Sequence, residues 1–288
     1  MKGIILAGGR GSRLYPITLS VSKQLLPVYN KPMIYYPLSM LMLAGIREIL
    51  IISTPEDLPL FKRLLRSGAQ WGLHFEYKEQ DEPRGLPDAF LIGQNFIQRE
   101  SVCLILGDNI FYGTGLVSEL ESLSKGLQGA AIFAYSVVDP QRYGIVELDE
   151  NDHVISLEEK PAIPRSKYAI PGMYFFDGQA ADLAGTLEPS SRGELEIIDL
   201  LRFYLAQNTL RAKILGRGVA WLDAGTHESL LQAANFVQTV EQRQGLMISC
   251  PEEIAYRLGY IDRHQLRTLA NLMSANTYGV YLLSLADE

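Results

Sequence analysis

Cysteine is nearly absent. Cys103 and Cys250 are the only two in 288 residues, one in an apolar run and one ahead of a helix-like segment, so neither a disulfide framework nor a zinc site is indicated. No apolar run reaches the ~18 to 20 residues of a bilayer span. The opening apolar segment, Lys2 to Ala7, ends in glycines and lacks the longer core and cleavage site of a secretory signal. These absences predict a cytoplasmic protein with no membrane contact. Repeats, low-complexity tracts and Ser/Gly-rich linkers are also missing. One domain is therefore expected over residues 1–288, with a core at 1–245 and a tail at 246–288.

A more telling absence is local. Residues 1–47 contain no Asp or Glu, yet they hold Lys2, Arg10, Arg13, Lys23, Lys31 and Arg47. The chain as a whole has a formal charge of −7, so everything after residue 47 carries −13. An acidic balance speaks against nucleic-acid binding but not against a small anion, which responds to the local field. Inside the acid-free stretch lies Gly8-Gly9-Arg10-Gly11-Ser12-Arg13-Leu14-Tyr15-Pro16, followed by Lys23-Gln24-Leu25-Leu26-Pro27. Glycines that expose backbone N–H groups beside unneutralised cations suit a polyphosphate.

Apolar runs bounded by Gly, Asp or Pro predict strands over Gly3–Ala7, Glu48–Ser53, His74–Lys78, Val102–Leu106, Ala131–Val137, Gly144–Leu148, Val154–Leu157, Met173–Phe176 and Ala212–Leu215. Helices are predicted between the early strands, at Pro32–Ala44, Asp57–Arg66, Leu86–Ile97 and Val117–Lys125. Three- and four-residue apolar spacing predicts more at Glu194–Ala206, Glu228–Arg243, Glu252–Leu258 and Arg263–Met273. This alternation is that of an α/β protein: a Rossmann-like, mixed but mostly parallel sheet flanked by helices, with a small C-terminal helical appendage. The stretch from Ala131 to Phe176 reads as mixed or antiparallel additions.

The residues after the glycine loop separate it from other phosphate-binding loops. A dinucleotide fold needs a third Gly where Leu14 stands, and an acid about 20 residues on, whereas the first acid here is Glu48. A Walker loop needs Lys where Ser12 stands. What remains is a loop with Arg13 just after Gly11 and Lys23 ten residues later. GGRGSRLYPIT and SKQLLPVYNKP resemble the signature of sugar-phosphate nucleotidylyltransferases. The resemblance extends through LGDN at Leu106–Asn109, DPQRYGIVE at Asp139–Glu147, SLEEKP at Ser156–Pro161, RGELEI at Arg192–Ile197, WLDAGTH at Trp221–His227 and CPEEIAYR at Cys250–Arg257. It runs from Met1 into the tail, and it is nearest to members that join dTTP to glucose 1-phosphate for dTDP-rhamnose-type biosynthesis.

That resemblance implies nucleotidyl transfer with release of pyrophosphate. The nucleophile is a phosphate monoester, whose second pKa near ~6 leaves it largely dianionic at neutral pH, so no general base is needed. The absence of any credible Ser/His/Asp or Cys/His arrangement fits. The difficulty is bringing two polyanions together, which makes catalysis a matter of positioning and charge neutralisation. By resemblance, Arg13 and Lys23 hold the pyrophosphate portion and the α-phosphate, with Gly8, Gly9, Gly11 and Ser12 as the cradle. Gln80 and Gly85 belong with the nucleotide, and Asp108 and Asp223 with Mg²⁺. Gly144, Glu159, Lys160 and Arg192 belong with the sugar phosphate. Two carboxylates plus phosphate oxygens and water suit octahedral Mg²⁺. Gln80 can meet the N3–H and O4 edge of thymine, but equally that of uracil, so UTP stays open as the nucleotide. A non-catalytic nucleotide-sugar sensor is the rival of another class.

The chain departs from the family pattern in places. GLAQA is replaced by Gly85-Leu86-Pro87-Asp88-Ala89, and Asp88 is expected to alter sugar selection or rate. Ile198 stands where Thr is usual, and Arg10 where a small residue is usual, adding charge where charge helps. The resemblance also implies a homotetramer, and a second nucleotide site for feedback formed by Tyr112, Gly113, Arg217, Cys250, Glu253 and Arg257 at a subunit interface.

Overall fold

In the computed structural model, described here for residues 1–9 and 11–288, a ten-stranded mixed sheet forms the centre. Arg10, to which the sequence assigned extra loop charge, lies outside the described residues. The parallel part runs His74–Glu79, Glu48–Ser53, Lys2–Leu6, Val102–Leu106, so chain order along the sheet is 3-2-1-4. Order reverses beside Lys2–Leu6, and the crevice at that reversal is where open α/β sheets place ligands. Beyond Val102–Leu106 come Met173–Phe176 and then Ala130–Ser136, both joined antiparallel, with Leu210–Ile214 parallel to the latter. Tyr168–Ala169, Gly144–Leu148 and Val154–Glu159 finish the sheet by antiparallel pairing. The additions expected between Ala131 and Phe176 are thus present.

The near-continuous apolar runs of the central strands follow from burial on both faces. Ile5, Ile49, Ile51, Cys103, Ile105 and Phe133 point to one side. Ile4, Leu50, Ile52, Leu104, Ile132 and Phe176 point to the other. The first face is covered by the helix Tyr35–Leu43 and by the tail, whose Ala255, Leu266 and Leu282 join the same cluster. The second is covered by the helices Asp88–Ile92, Gln94–Ile97, Ala180–Ala184 and Ile197–Ala206. Against the first helix the tail lays Pro251–Arg257, with Arg263–Asn271 and Thr277–Asp287 packed behind it.

Several boundaries differ from the sequence reading. The stretch Leu86–Ile97 divides at Gly93, where a Cβ would lie 2.9 Å from the Ala89 carbonyl oxygen and 3.1 Å from Leu50. Glu194–Glu196 stays outside the helix that follows because Leu195 bridges Gly85 and Glu196 accepts from Ser190 and Arg192. Helices Ala180–Ala184 and Thr277–Asp287 were not expected, nor was a two-stranded ribbon of Asn109–Gly113 and Val219–Asp223 that lies off the main sheet.

A buried ion pair ties the long helix His227–Gln244 to the acid-free segment. Glu241 accepts from Lys31 at 2.8 Å, from Asn30 at 2.6 Å and from the Ile248 amide at 2.8 Å. Burial pulls the Lys31 ammonium below its ordinary value, with Glu241 pulling the other way. Among the described residues no helix is long and apolar enough to cross a membrane.

Candidate active site

The loop after Lys2–Leu6 opens with Gly9 at φ +100° and Gly11 at φ +59°, backbone settings that residues with a Cβ rarely adopt. Gly11 leads into a single 3-10 turn, Ser12–Leu14, whose Leu14 is fully buried. Thr18 Oγ1 donates to the Gly11 carbonyl at 2.8 Å and closes the loop. This anchoring sends Arg13 into the cleft. A second turn, Lys23–Leu25, aims the Lys23 ammonium at the Asp108 carboxylate, with which it forms an ion pair.

Asp108 and Asp223 meet through the ribbon. Its antiparallel register places Asp223 opposite Asn109, and the Ala224 amide donates to the Asp108 carbonyl at 3.2 Å. Burial pushes the Asp108 carboxyl up, but the Lys23 ammonium and the hydrogen bonds from Lys23 and Asn109 outweigh it and hold the group below the usual carboxylate range. Asp223 moves the opposite way, raised by burial and by the nearby Asp108 charge, against the pull of Lys23, Arg13 and Arg142. Two hard oxygen donors, one of them short of compensating positive charge, are a fitting pair for a divalent cation that completes its shell with phosphate oxygens and water. Among the described residues no group of three or more His, Cys, Asp and Glu gathers to form a fuller cage.

The cleft has a volume of about 500 Å³, within the ~300 to 1,000 Å³ of small-molecule sites. Gly8, Gly9, Arg13, Gln80, Gly85, Asp108 and Asp223 line it together with Gly144, Glu159, Lys160 and Arg192. Gly85 has φ +106°, and a Cβ there would lie 2.1 Å from the Leu195 carbonyl oxygen, so only glycine permits this approach. Arg192 is held by Glu196 through two bonds, of 3.1 and 2.7 Å, and reaches Glu159 at 3.1 Å. Burial pushes Glu196 up, yet the hydrogen bonds from Ser190 and Arg192 hold it below its ordinary value. Lys160 sits 3.4 Å from Glu159 and has φ +42°. Ile198 is buried and packs where a Cβ on Gly144 would be, 3.0 Å away.

Some lining residues were not singled out in the sequence. Asn109 donates to Asp108 at 3.1 Å and accepts from Trp221 Nε1 at 2.7 Å and the Gly172 amide at 3.0 Å. Arg142 adds charge near Asp223. Both belong to motifs already noted, LGDN and DPQRYGIVE, and the run of polar residues beside Asp108 and Gly144 was the available signal. Asp88 does not reach the sugar-phosphate group of residues; among the described residues its side-chain partner is Gln80, at 2.8 Å.

The six residues assigned to a second site are divided between two elements. Tyr112 and Gly113 lie on the ribbon, with Arg217 just before its second strand, and the Tyr112 hydroxyl donates to Gln244 at 2.8 Å. Cys250, Glu253 and Arg257 lie at the tail helix Pro251–Arg257. There Cys250 is buried against Tyr278, and Glu253 bonds Arg257 and Tyr281, each at 2.7 Å. Ribbon and tail helix both pack on Tyr35–Leu43.

A Rossmann-like sheet carrying this loop and carboxylate pair at its switch point is the framework of a nucleotidyl-transferring enzyme, and the chain belongs to the nucleotidyl transferase family, whose model matches residues 2–240. Its full-length relatives bear a more particular name. The glucose-1-phosphate thymidylyltransferase of Xanthomonas campestris pv. campestris (strain B100) is 58% identical over 287 residues, covering 100% of this chain and 97% of the relative. That of Mycobacterium tuberculosis (strain ATCC 25618 / H37Rv) is 54% identical over 288 residues, covering 100% of both chains. Among solved structures, a Bacillus anthracis protein described as a putative glucose-1-phosphate thymidylyltransferase, crystallised with sucrose, matches with a TM-score of 0.76 at 40% identity. That match covers 82% of this chain and 94% of the other.

Proposed function

We propose that the protein transfers the thymidylyl group of dTTP to α-D-glucose 1-phosphate, giving dTDP-glucose and pyrophosphate. The observation that carries this reading is the ribbon register, which sets Asp223 beside Asp108 and within the field of Arg13 and Lys23. The full-length likeness to glucose-1-phosphate thymidylyltransferases supports the choice of nucleotide and sugar.

In this reading the glycine loop, Gly8, Gly9, Gly11 and Ser12, cradles the triphosphate through backbone N–H groups, and Arg13 grips the departing β- and γ-phosphates with its planar fork. Lys23 supplies a compact charge at the α-phosphate. Gln80 and Gly85 take the base. Glu159 and Gly144 take sugar hydroxyls, while Lys160 and Arg192 hold the sugar phosphate. A sugar-phosphate oxygen attacks the α-phosphorus in line, a new P–O bond forms, and the α–β bridging P–O bond breaks to release pyrophosphate. Asp108 and Asp223 would hold Mg²⁺, which when bound lowers the charge barrier between the two substrates. Asp108 can serve Lys23 and an ion together, because each carboxylate oxygen has two lone pairs.

The test is pyrophosphate release with Mg²⁺ across dTTP and UTP, and across the 1-phosphates of glucose, galactose and N-acetylglucosamine. The fastest release is expected with dTTP and glucose 1-phosphate. A faster reaction with UTP would replace the nucleotide, and no release with any pair would leave a sensor.

The same reading extends to a cytoplasmic homotetramer in dTDP-rhamnose-type biosynthesis, with a second nucleotide site involving Tyr112, Gly113, Arg217, Cys250, Glu253 and Arg257. For that site, dTDP-rhamnose is expected to inhibit the wild type, and Arg257→Ala to raise the half-inhibitory concentration about tenfold, the worth of one charge-assisted contact. Equal inhibition of both would remove Arg257 from it.

A further inference from the structure

Gln80 leaves the end of the strand His74–Glu79 with its backbone amide donating to the Ser53 carbonyl at 2.8 Å. Its side chain lines the cleft and is nearly buried, at 6% exposure. Behind it stands Asp88, also nearly buried at 7%. Gln80 Nε2 donates to Asp88 Oδ2 at 2.8 Å. On the other side, Gln80 Oε1 lies over the glycine loop, 3.0 Å from where a Cβ on Gly8 would stand.

A carboxamide can usually turn end for end, because its oxygen and nitrogen are nearly the same size. Here the two ends are not equivalent. A carboxylate only accepts, so turning the amide over would press the Gln80 oxygen against the Asp88 oxygen, two buried acceptors with no proton between them. A buried acceptor left without a donor loses its hydration and gains nothing in exchange. The Gln80 carbonyl is thereby the end offered on the Gly8 side of the cleft.

A pyrimidine reads such a carbonyl through N3. In thymine and uracil, which carry a keto group at C4, N3 bears a hydrogen and donates. In cytosine, with an amino group at C4, N3 is a lone pair and meets the carbonyl as one acceptor facing another. We propose that Asp88 is a positioning residue for base selection, fixing the Gln80 amide so that the site takes 4-keto pyrimidine triphosphates and refuses 4-amino ones. This rests on the reading that Gln80 contacts the base. It also relocates the effect of the Pro87-Asp88 departure from sugar to nucleotide.

The decisive comparison is dUTP against dCTP, which differ only at N3 and C4. The kcat/KM ratio of the two is measured by pyrophosphate release with glucose 1-phosphate, for wild type, Asp88→Asn and Gln80→Ala. Asn at 88 can donate or accept, so it frees the Gln80 amide to turn. The dUTP to dCTP ratio is expected to fall at least tenfold in Asp88→Asn, mainly through KM for the nucleotide, and to fall also in Gln80→Ala. Should thermal melting show Asp88→Asn unfolded, Asp88→Ser carries the same test, since a hydroxyl accommodates either end of the amide. A ratio that falls in Gln80→Ala but is unchanged in Asp88→Asn overturns the proposal alone. A ratio unchanged in Gln80→Ala overturns the base contact and the proposal with it.

Discussion

Lys23→Met is expected to lower kcat/KM for pyrophosphate release by about a thousandfold, with dTTP and glucose 1-phosphate as the measured pair. A single preorganised group aimed at developing charge is worth about 10² to 10³, and a thousandfold corresponds to about 4 kcal/mol. Lys23 belongs at the upper end because its loss has two effects. The positive charge proposed for the α-phosphate disappears, and Asp108 loses the ammonium that holds it below the usual carboxylate range. Two buried carboxylates then share one pocket, with Asp223 already raised by burial and by Asp108. Lys23→Arg keeps the charge but spreads it over a wider group, so it is expected to recover part of the rate. Thermal melting of each variant separates the loss from unfolding. A fall of less than tenfold in folded Lys23→Met would contradict the role given to this residue.

The second large effect is expected from metal removal. Treatment with EDTA should reduce pyrophosphate release by at least about a thousandfold, and added Mg²⁺ should restore it, because Lewis-acid neutralisation at a phosphoryl centre is worth several kcal/mol. Asp223→Asn keeps one neutral oxygen in the same place and removes the charge. Its rate at saturating Mg²⁺ is expected to be down about a hundredfold, with half-saturation shifted to higher Mg²⁺ concentration. Full activity in EDTA would remove the assignment of Asp108 and Asp223 to an ion, and an unchanged Mg²⁺ titration in Asp223→Asn would remove Asp223 alone.

How far the sequence discloses such a site depends on the range of the interactions involved. The strands Glu48–Ser53, Val102–Leu106, Gly144–Leu148 and Met173–Phe176 were legible to the residue, because burial on one or both faces writes itself into a local apolar pattern. So was the acid-free opening with its glycine loop. The ribbon was not legible: Asn109–Gly113 finds its partner more than a hundred residues later, and no local pattern announces a register. Nor was the late start of the helix Ile197–Ala206, which depends on Arg192 and Gly85 taking up the residues before it. Asp88 illustrates the same limit. As a letter in a motif it reads only as a charge near nucleotide or sugar, and it takes the fold to show that its partner is Gln80.

Asp108 and Asp223 are mounted on a single short ladder outside the main sheet, one just ahead of its first strand and the other at the end of its second. Their spacing is therefore set by backbone hydrogen bonds between adjacent strands. Glu159 instead ends a strand at the rim of the sheet, and Arg192 precedes the helix Ile197–Ala206 in a loop. On the proposed reading, drift in that outer half would change which sugar phosphate is admitted while the caliper on the α-phosphate kept its setting. Such separate mounting allows the sugar phosphate to be exchanged without disturbing the nucleotidyl transfer.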